Sequence, residues 1–381
     1  MLRRASRWLL PRMGAVEEPA QLKTIPRLMQ HSVIQNQEEN MTVSKSGRIS
    51  RRSLLMAASA VPLCGILTRP VSAAEFVYKF ATGQDPTHPV NIRAQEAIDR
   101  IKEATSGRLE IRLFPANQLG SDTELLTQVR SGGVEFFNQS SSILATLVPS
   151  AGIVNTGFAF ADYDSVWKAM DGDLGTYIQA QIAKTPIMAV SKAWDNGFRQ
   201  VTSSGREVRT PDDLKNFQIR VPPAPLLTSL FKALGAGPTP INFNEVYSAL
   251  QTKVVDGQEN PLPIIATARL FEVQSTCSLT GHVWDGYWIL GNKRAFERLP
   301  KDVQEIVTRE LDRSAVDQRA DIAKLSQSLR ADLSAKGLKF IDVDRAAFRQ
   351  ALSKTSFYTD WKAKFGEEAW LQLEKAAGQL S

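Results

Sequence analysis

The sequence predicts an α/β protein built from two domains. Of its 381 residues, 43% are hydrophobic, enough for two domains of ordinary size, each with a core. From Phe76 onward, strand-like alternation and helix-like periodicity follow one another, as in a sheet with helical crossovers. A helical pattern from Asp302 to about Lys336 would extend roughly 50 Å at ~1.5 Å per residue, longer than one domain, so it is expected to pack along both.

The chain begins with a leader of different composition. Up to Ala74 there are eleven Lys and Arg against four Asp and Glu, about +7, and since the whole chain is +6 the remainder is close to −1. The pI of about 9.2 therefore belongs to the leader, and no basic field is left to hold a nucleic acid. Ser50-Arg51-Arg52-Ser53-Leu54-Leu55 is a basic region with a twin-arginine pair. Leu54 to Leu67 is apolar but too short to remain in a bilayer, and Val71-Ser72-Ala73 is an A-x-A-like cleavage site. Residues 1–74 thus read as a leader with a twin-arginine-type export signal; an ordinary secretory signal with two arginines is the alternative. Met41 is a plausible true start, which would make residues 1–40 an over-long reading frame. Cys64 makes a poor lipoprotein site because Leu63 before it is too large. After cleavage one cysteine, Cys277, and two histidines, His88 and His282, remain. That leaves no intramolecular disulfide and little basis for a zinc site, so neither metal nor cofactor is expected.

In the mature chain, Phe76–Phe80 alternates as a strand, and Thr87-His88-Pro89 opens a helix with Ala94, Ala97, Ile98 and Ile101 on one face, ended by Gly107. Leu109–Phe114 is a second strand, which gives a right-handed parallel crossover unit. Ser121 with Glu124 forms a capping box, and Gly132-Gly133 closes that helix. Val134–Phe137 is a third strand ending in the polar run Asn138-Gln139-Ser140-Ser141-Ser142. Ligands of open α/β sheets lie at such carboxyl ends, so the run is either a pocket edge or a helix-capping loop. Asp164–Met170 and Asp173–Ala183 read as helices, Ile187–Trp194 as a strand, and Asp195-Asn196-Gly197 as a turn. Strands follow at Phe198–Thr202 and Phe217–Val221, with a short helix opened by Thr210-Pro211-Asp212-Asp213 between them, and Pro222-Pro223 ends the second. Val283–Leu290 is the return strand.

The stretch from Gly235 to Pro263 organises the rest. Asn242 and Glu245 are spaced as a capping box, Val246, Leu250 and Val254 share a face that should be buried, and Gly257 stands where the helix should end. Gln258-Glu259-Asn260-Pro261 is then polar where an apolar strand is expected, as at a ligand site or hinge. The run EVYSALQTKVVDGQENPL resembles the signature of the solute receptors of tripartite ATP-independent periplasmic (TRAP) transporters, the DctP-type family, in particular the members that bind sialic acid and C4-dicarboxylates. The likeness extends, more weakly, over nearly all of the chain after Glu75.

The resemblance implies a periplasmic-binding-protein-like fold in which two domains close by a hinge around a ligand cleft. The expected domains are 75–195 with 287–323, and 196–286 with 324–381. It also implies a periplasmic protein that captures a carboxylate-containing organic acid and delivers it to the permease subunits of a secondary transporter. A receptor feeding a sensor kinase or another transporter class is the alternative. An enzyme is not expected: G-x-S-x-G, a glycine-rich phosphate loop and H-E-x-x-H are all missing.

Arg220 is the leading binding candidate, because a guanidinium fork matches both oxygens of a carboxylate. Its I-R-V-P setting resembles that of the arginine with which TRAP receptors clamp their substrate; otherwise such an arginine is solvated or salt-bridged. Arg199, in N-G-F-R, resembles their supporting arginine, and a partner for Glu259 or Asp256 is its other reading. Asn260 matches an amide facing the same carboxylate. Gln139 and Ser140 stand where sialic-acid binders place an acid, which argues against sialic acid itself. Trp194, Trp284, Trp288 and Phe243 could stack on a ligand or simply be core; Trp284 with Asp285, on the return strand, is the better placed.

Overall fold

In the computed structural model, residues 73–380 are described. The twin-arginine pair, the apolar run, Met41, Cys64 and most of the cleavage site lie outside them. Eleven strands are present among the described residues: β1 (Phe76–Thr82), β2 (Leu109–Phe114), β3 (Phe136–Ser140), β4 (Ile187–Ala189), β5 (Trp194–Ser203), β6 (Gln218–Val221), β7 (Gly237–Pro240), β8 (Gly257–Pro261), β9 (Thr276–Ser278), β10 (Trp284–Asn292) and β11 (Lys339–Ile341). They form one sheet in the order β2-β1-β3-β10-β5-β8-β6-β7, with β4 beside β10, β9 beside β5 and β11 beside β9. β1 is parallel to β2 and β3, as the crossover pattern requires, and β10 returns antiparallel between β3 and β5.

β5 joins the halves of the sheet. Its first part, from Trp194 to Phe198, pairs with β10, and its second, from Arg199 to Ser203, pairs with β8. The register shifts between Asp285 and Gly286, so Asn196 is an extra residue in the strand. Gly197, at φ +114°, takes up the strain of this bulge. The turn expected at Asp195-Asn196-Gly197 is therefore the interior of a continuous strand. The strand expected over Ile187–Trp194 is divided between β4 and the start of β5, both lying against β10. β3 starts two residues later than expected and takes Asn138, Gln139 and Ser140 into the sheet.

The predicted helix signals hold at several ends. His88 caps the helix Pro89–Ala104 by accepting at Nδ1 from the Val90 amide (3.2 Å), and the Ser121–Glu124 capping box opens Asp122–Ser131. Gly132, at φ +86°, closes that helix. The long helix is Lys301–Ala335. Val303, Val307, Leu311 and Ala315 pack in a core with Tyr78, Phe80, Phe136 and Ile289, whereas Leu329 and Leu333 pack with Val246, Leu250, Ile265 and Cys277. Between these segments, Gln318 donates from Nε2 to the Asp195 carbonyl (2.7 Å) and accepts at Oε1 from the Asp195 amide (2.8 Å). One helix thus serves both halves and is tied at its middle to the strand that joins them. The remaining apolar residues form a third cluster, in which Phe348, Phe357, Trp361 and Trp370 meet Val154, Val166, Leu227 and Leu230.

The stretch around residue 245 departs from its expected course. Asn242 makes no capping bond; a 3-10 turn, Phe243–Glu245, precedes a helix of only Val246–Gln251, and Asn242 Oδ1 accepts from Thr123 Oγ1 (3.3 Å). Val246 and Leu250 are buried, but Val254 is 64% exposed. Lys253, at φ +58°, breaks the helical register and turns Val255 inward in its place. Gly257 is not a helix end but the first residue of β8, where a Cβ would come within 2.2 Å of the Thr202 carbonyl oxygen. Glycine is needed there for close approach of two strands.

Candidate ligand-binding site

A narrow cavity lies between the two halves of the sheet. One wall comes from the β1–β3–β10 half: Gln84 just beyond β1, Asp122 at a helix start, Gln139 and Ser140 at the end of β3, Ser142 and Ile143 behind them, and Tyr287 of β10. Arg199 of β5, Arg220 and Pro222 at the end of β6, Asn260 of β8, Phe243 and Ile264 supply the other, and Asn196 sits at the bulge between them. The site thus occupies the carboxyl ends of β1, β3 and β6, where parallel strands leave room for a ligand.

Arg220 is held from one side. Its Nε and Nη2 both donate to the Ile241 carbonyl (2.8 and 2.6 Å), which fixes the guanidinium plane. The residue is 1% exposed, and among the described residues no carboxylate pairs with it. Burial draws its pKa down to about 10, partly offset by Glu259 and Asp122, so the group remains a cation at neutral pH. A buried arginine with donors to spare and no anionic partner is costly to keep, and an anionic ligand removes that cost.

Arg199 lies in the opposite situation. Its Nη2 donates to Glu259 Oε1 (2.8 Å), to the Glu259 carbonyl (2.8 Å) and to Asn260 Oδ1 (3.1 Å), and Nη1 donates to Asp285 Oδ2 (3.0 Å). Nε pairs with Glu259 Oε2. Both carboxylates are fully buried. Burial favours a neutral Glu259, but Arg199 and His282, whose Nε2 lies 3.0 Å from Oε2, outweigh it and hold the acid at about 2. Burial also keeps His282 below its ordinary pKa. Of the two partners the sequence suggested for Arg199, Glu259 is present, joined by Asp285.

The neutral groups are set by the same network. Asn260 donates to Gln258 Oε1 (2.6 Å), leaving one amide hydrogen for the cavity. Gln139 donates to the Asp122 carbonyl (3.2 Å) and accepts from the Ser140 amide (2.8 Å), and Ser140 Oγ donates to Asp285 Oδ2 (2.6 Å). Gln84 Nε2 donates to Tyr287 Oη (3.0 Å). Of the candidates drawn from the sequence, Arg220, Arg199, Asn260, Gln139, Ser140 and Phe243 line the cavity together. Trp194, Trp284 and Trp288 are core residues; Trp194 donates to Ser191 Oγ (3.2 Å) and Trp284 to Asp195 Oδ1 (2.9 Å). Asp285 stands behind the cavity, accepting from Arg199, Ser140, Asn155 and Asn196.

Sequence reasoning passed over Gln84, Asp122, Asn196 and Tyr287. Asp122 follows a capping serine, a local reason for an acid there, yet its carboxyl is buried in the cavity wall. Burial raises its pKa, opposed by a hydrogen bond from Asn117 Nδ2 (3.0 Å) and by the charge of Arg220. Among the described residues there is no cluster of side chains able to hold a metal ion and no helix long and apolar enough to cross a membrane.

The chain matches known proteins over most of its length. The family profile of the bacterial extracellular solute-binding proteins, family 7, matches residues 80–359. The 2,3-diketo-L-gulonate-binding periplasmic protein of Escherichia coli is 32% identical over 302 residues, 79% of this chain and 91% of that protein. Two solved structures superpose over most of the fold. The TRAP periplasmic solute-binding protein of Sulfurospirillum deleyianum, with bound succinate, gives a TM-score of 0.75 at 28% identity, covering 80% of this chain and 99% of that one. The sugar-acid-binding protein of Advenella mimigardefordensis, in complex with galactonate, gives 0.77 at 27% identity, covering 81% and 100%.

Proposed function

Because the chain belongs to family 7 of the bacterial extracellular solute-binding proteins, the periplasmic receptors of TRAP transporters, we propose that Arg220 is the clamp with which it holds the carboxylate of an organic acid. It is a binding protein and not an enzyme, and its family implies that the bound acid passes to membrane permease subunits. The observation that carries the clamp is a buried cation, fixed by the Ile241 carbonyl, that has no carboxylate partner of its own. The ligands named for the relatives (diketogulonate, succinate and galactonate) are all carboxylic acids.

A thermal-shift screen of organic acids identifies the ligand, since one present at ~100 times its dissociation constant adds about 2.7 kcal/mol of stability. Calorimetry on Arg220→Ala then tests the clamp. Breaking a buried ion pair costs about 3–5 kcal/mol, so affinity should fall on the order of 10² to 10³ or more. Arg220→Lys keeps the charge but not the planar fork and should also bind clearly worse. Parent affinity in a folded Arg220→Ala protein would place the clamp elsewhere.

The halves of the sheet fit two lobes that close on the ligand, hinged where β5 and β10 cross, with Arg199 and Asn260 in the strands beside the hinge. The leader fits export by the twin-arginine route. Replacing Arg51 and Arg52 with lysine should leave the precursor unprocessed by intact mass; continued processing would point to the general secretory route instead.

A further inference from the structure

We propose that the ligand is a hydroxylated monocarboxylate of the aldonic-acid type, and that Asp122 is the residue that excludes a second carboxylate. This rests on Arg220 as the carboxylate clamp. Arg199 and Arg220 are the two cations lining the cavity, and they are not equivalent. Arg199 is neutralised by Glu259 and Asp285, both fully buried, whereas Arg220 has no such partner. One uncommitted cation suits one anionic group.

The remaining wall asks for something other than charge. Asp122 is 8% exposed, accepts from Asn117 and enters no ion pair. Asn196 donates from Nδ2 to Asp285 (3.1 Å), which leaves its buried Oδ1 without a partner. The orphaned Asn196 Oδ1 needs a donor from the ligand, and the Asp122 carboxyl, with lone pairs beyond the one that Asn117 fills, can accept another. Tyr287 accepts from Gln84 and keeps its own hydroxyl proton to give. A hydroxyl group can donate to Asp122 or Asn196 and accept from Tyr287 in turn. A second carboxylate can only accept. It would leave both acceptors unmet and place a negative charge beside an acid whose own charge is already made costly by burial.

Matched pairs of acids test this. Threonate and tartrate of matching configuration, and gluconate and glucarate, differ in one position, a terminal hydroxymethyl group oxidised to a carboxylate. Calorimetry on the purified protein should show at least one aldonate binding about tenfold or more tighter than its dicarboxylate. Asp122→Asn should narrow that gap by weakening the aldonate and improving the dicarboxylate. Arg220→Ala should abolish both. If the dicarboxylates bind as tightly as the aldonates while Arg220→Ala still loses them, the exclusion fails and the clamp stands. If Arg220→Ala binds like the parent, both fail. Binding by no member of either pair also overturns the aldonate assignment. Should Asp122→Asn not fold, the ligand pairs on the unmutated protein decide the question.

Discussion

The two arginines that line one cavity should respond in opposite ways to truncation. Arg199→Ala strands Glu259 and Asp285, both fully buried, and should cost the ligand-free protein about 3–5 kcal/mol in urea denaturation. Arg220→Ala strands no acid and removes an unpaired buried cation, so ligand-free stability should hold or rise while binding is lost. A larger loss of ligand-free stability for Arg220→Ala than for Arg199→Ala would contradict this ranking. The place of Arg220 in the cavity wall was legible in the sequence because strand alternation and a Pro-Pro stop located it at a strand end. Asp122 was not. Its place after a capping serine explains an acid there completely at the local level, and which residues it faces depends on strands far along the chain. The tryptophans illustrate the same limit, since a large aromatic suits a core or a ligand equally and only the partner of its ring nitrogen distinguishes them.

Elements were legible where their signals are local. The capping box at Ser121, the left-handed stop at Gly132 and the apolar stripe of the long helix all appear where the sequence puts them. Asp195-Asn196-Gly197 misled because the residues that favour turns also favour bulges, and the bulge is defined by Asp285 and Gly286 on a strand about ninety residues away. Gly257 misled in a related manner, serving close strand contact and not a helix end. Gly257→Ala brings a methyl group against the Thr202 carbonyl and the Phe217 ring, and overpacking of this kind costs about 1–3 kcal/mol. Because β8 also carries Glu259 and Asn260, denaturation should reveal the loss together with weakened ligand binding. Unchanged stability would mean that β5 and β8 separate without penalty.

For the whole molecule, the geometry points to closure as the response to ligand. The cavity walls belong to different halves of the sheet, and the helix Lys301–Ala335 packs in a core of each. Small-angle scattering should give a smaller radius of gyration with the ligand identified by thermal shift than without it; identical values would indicate a rigid pocket. The two-domain α/β character was readable from chain length and from one helix too long for a single domain. How the domains share the sheet was not, because β5 carries no mark of where its partner changes from β10 to β8.

The division of the cavity between two walls also has a kinetic meaning. Arg220, Arg199 and Asn260 stand on neighbouring strands of one half, whereas Gln84, Asp122, Gln139 and Tyr287 belong to the other. If Arg220 is the clamp, an acid arriving at an open cleft would meet the arginine wall first, and that wall would govern how fast carboxylates are captured. The opposite wall would then engage on closure and set how long each one stays. Receptors built this way can acquire a new cargo by altering residence time alone, with the rate of capture inherited unchanged.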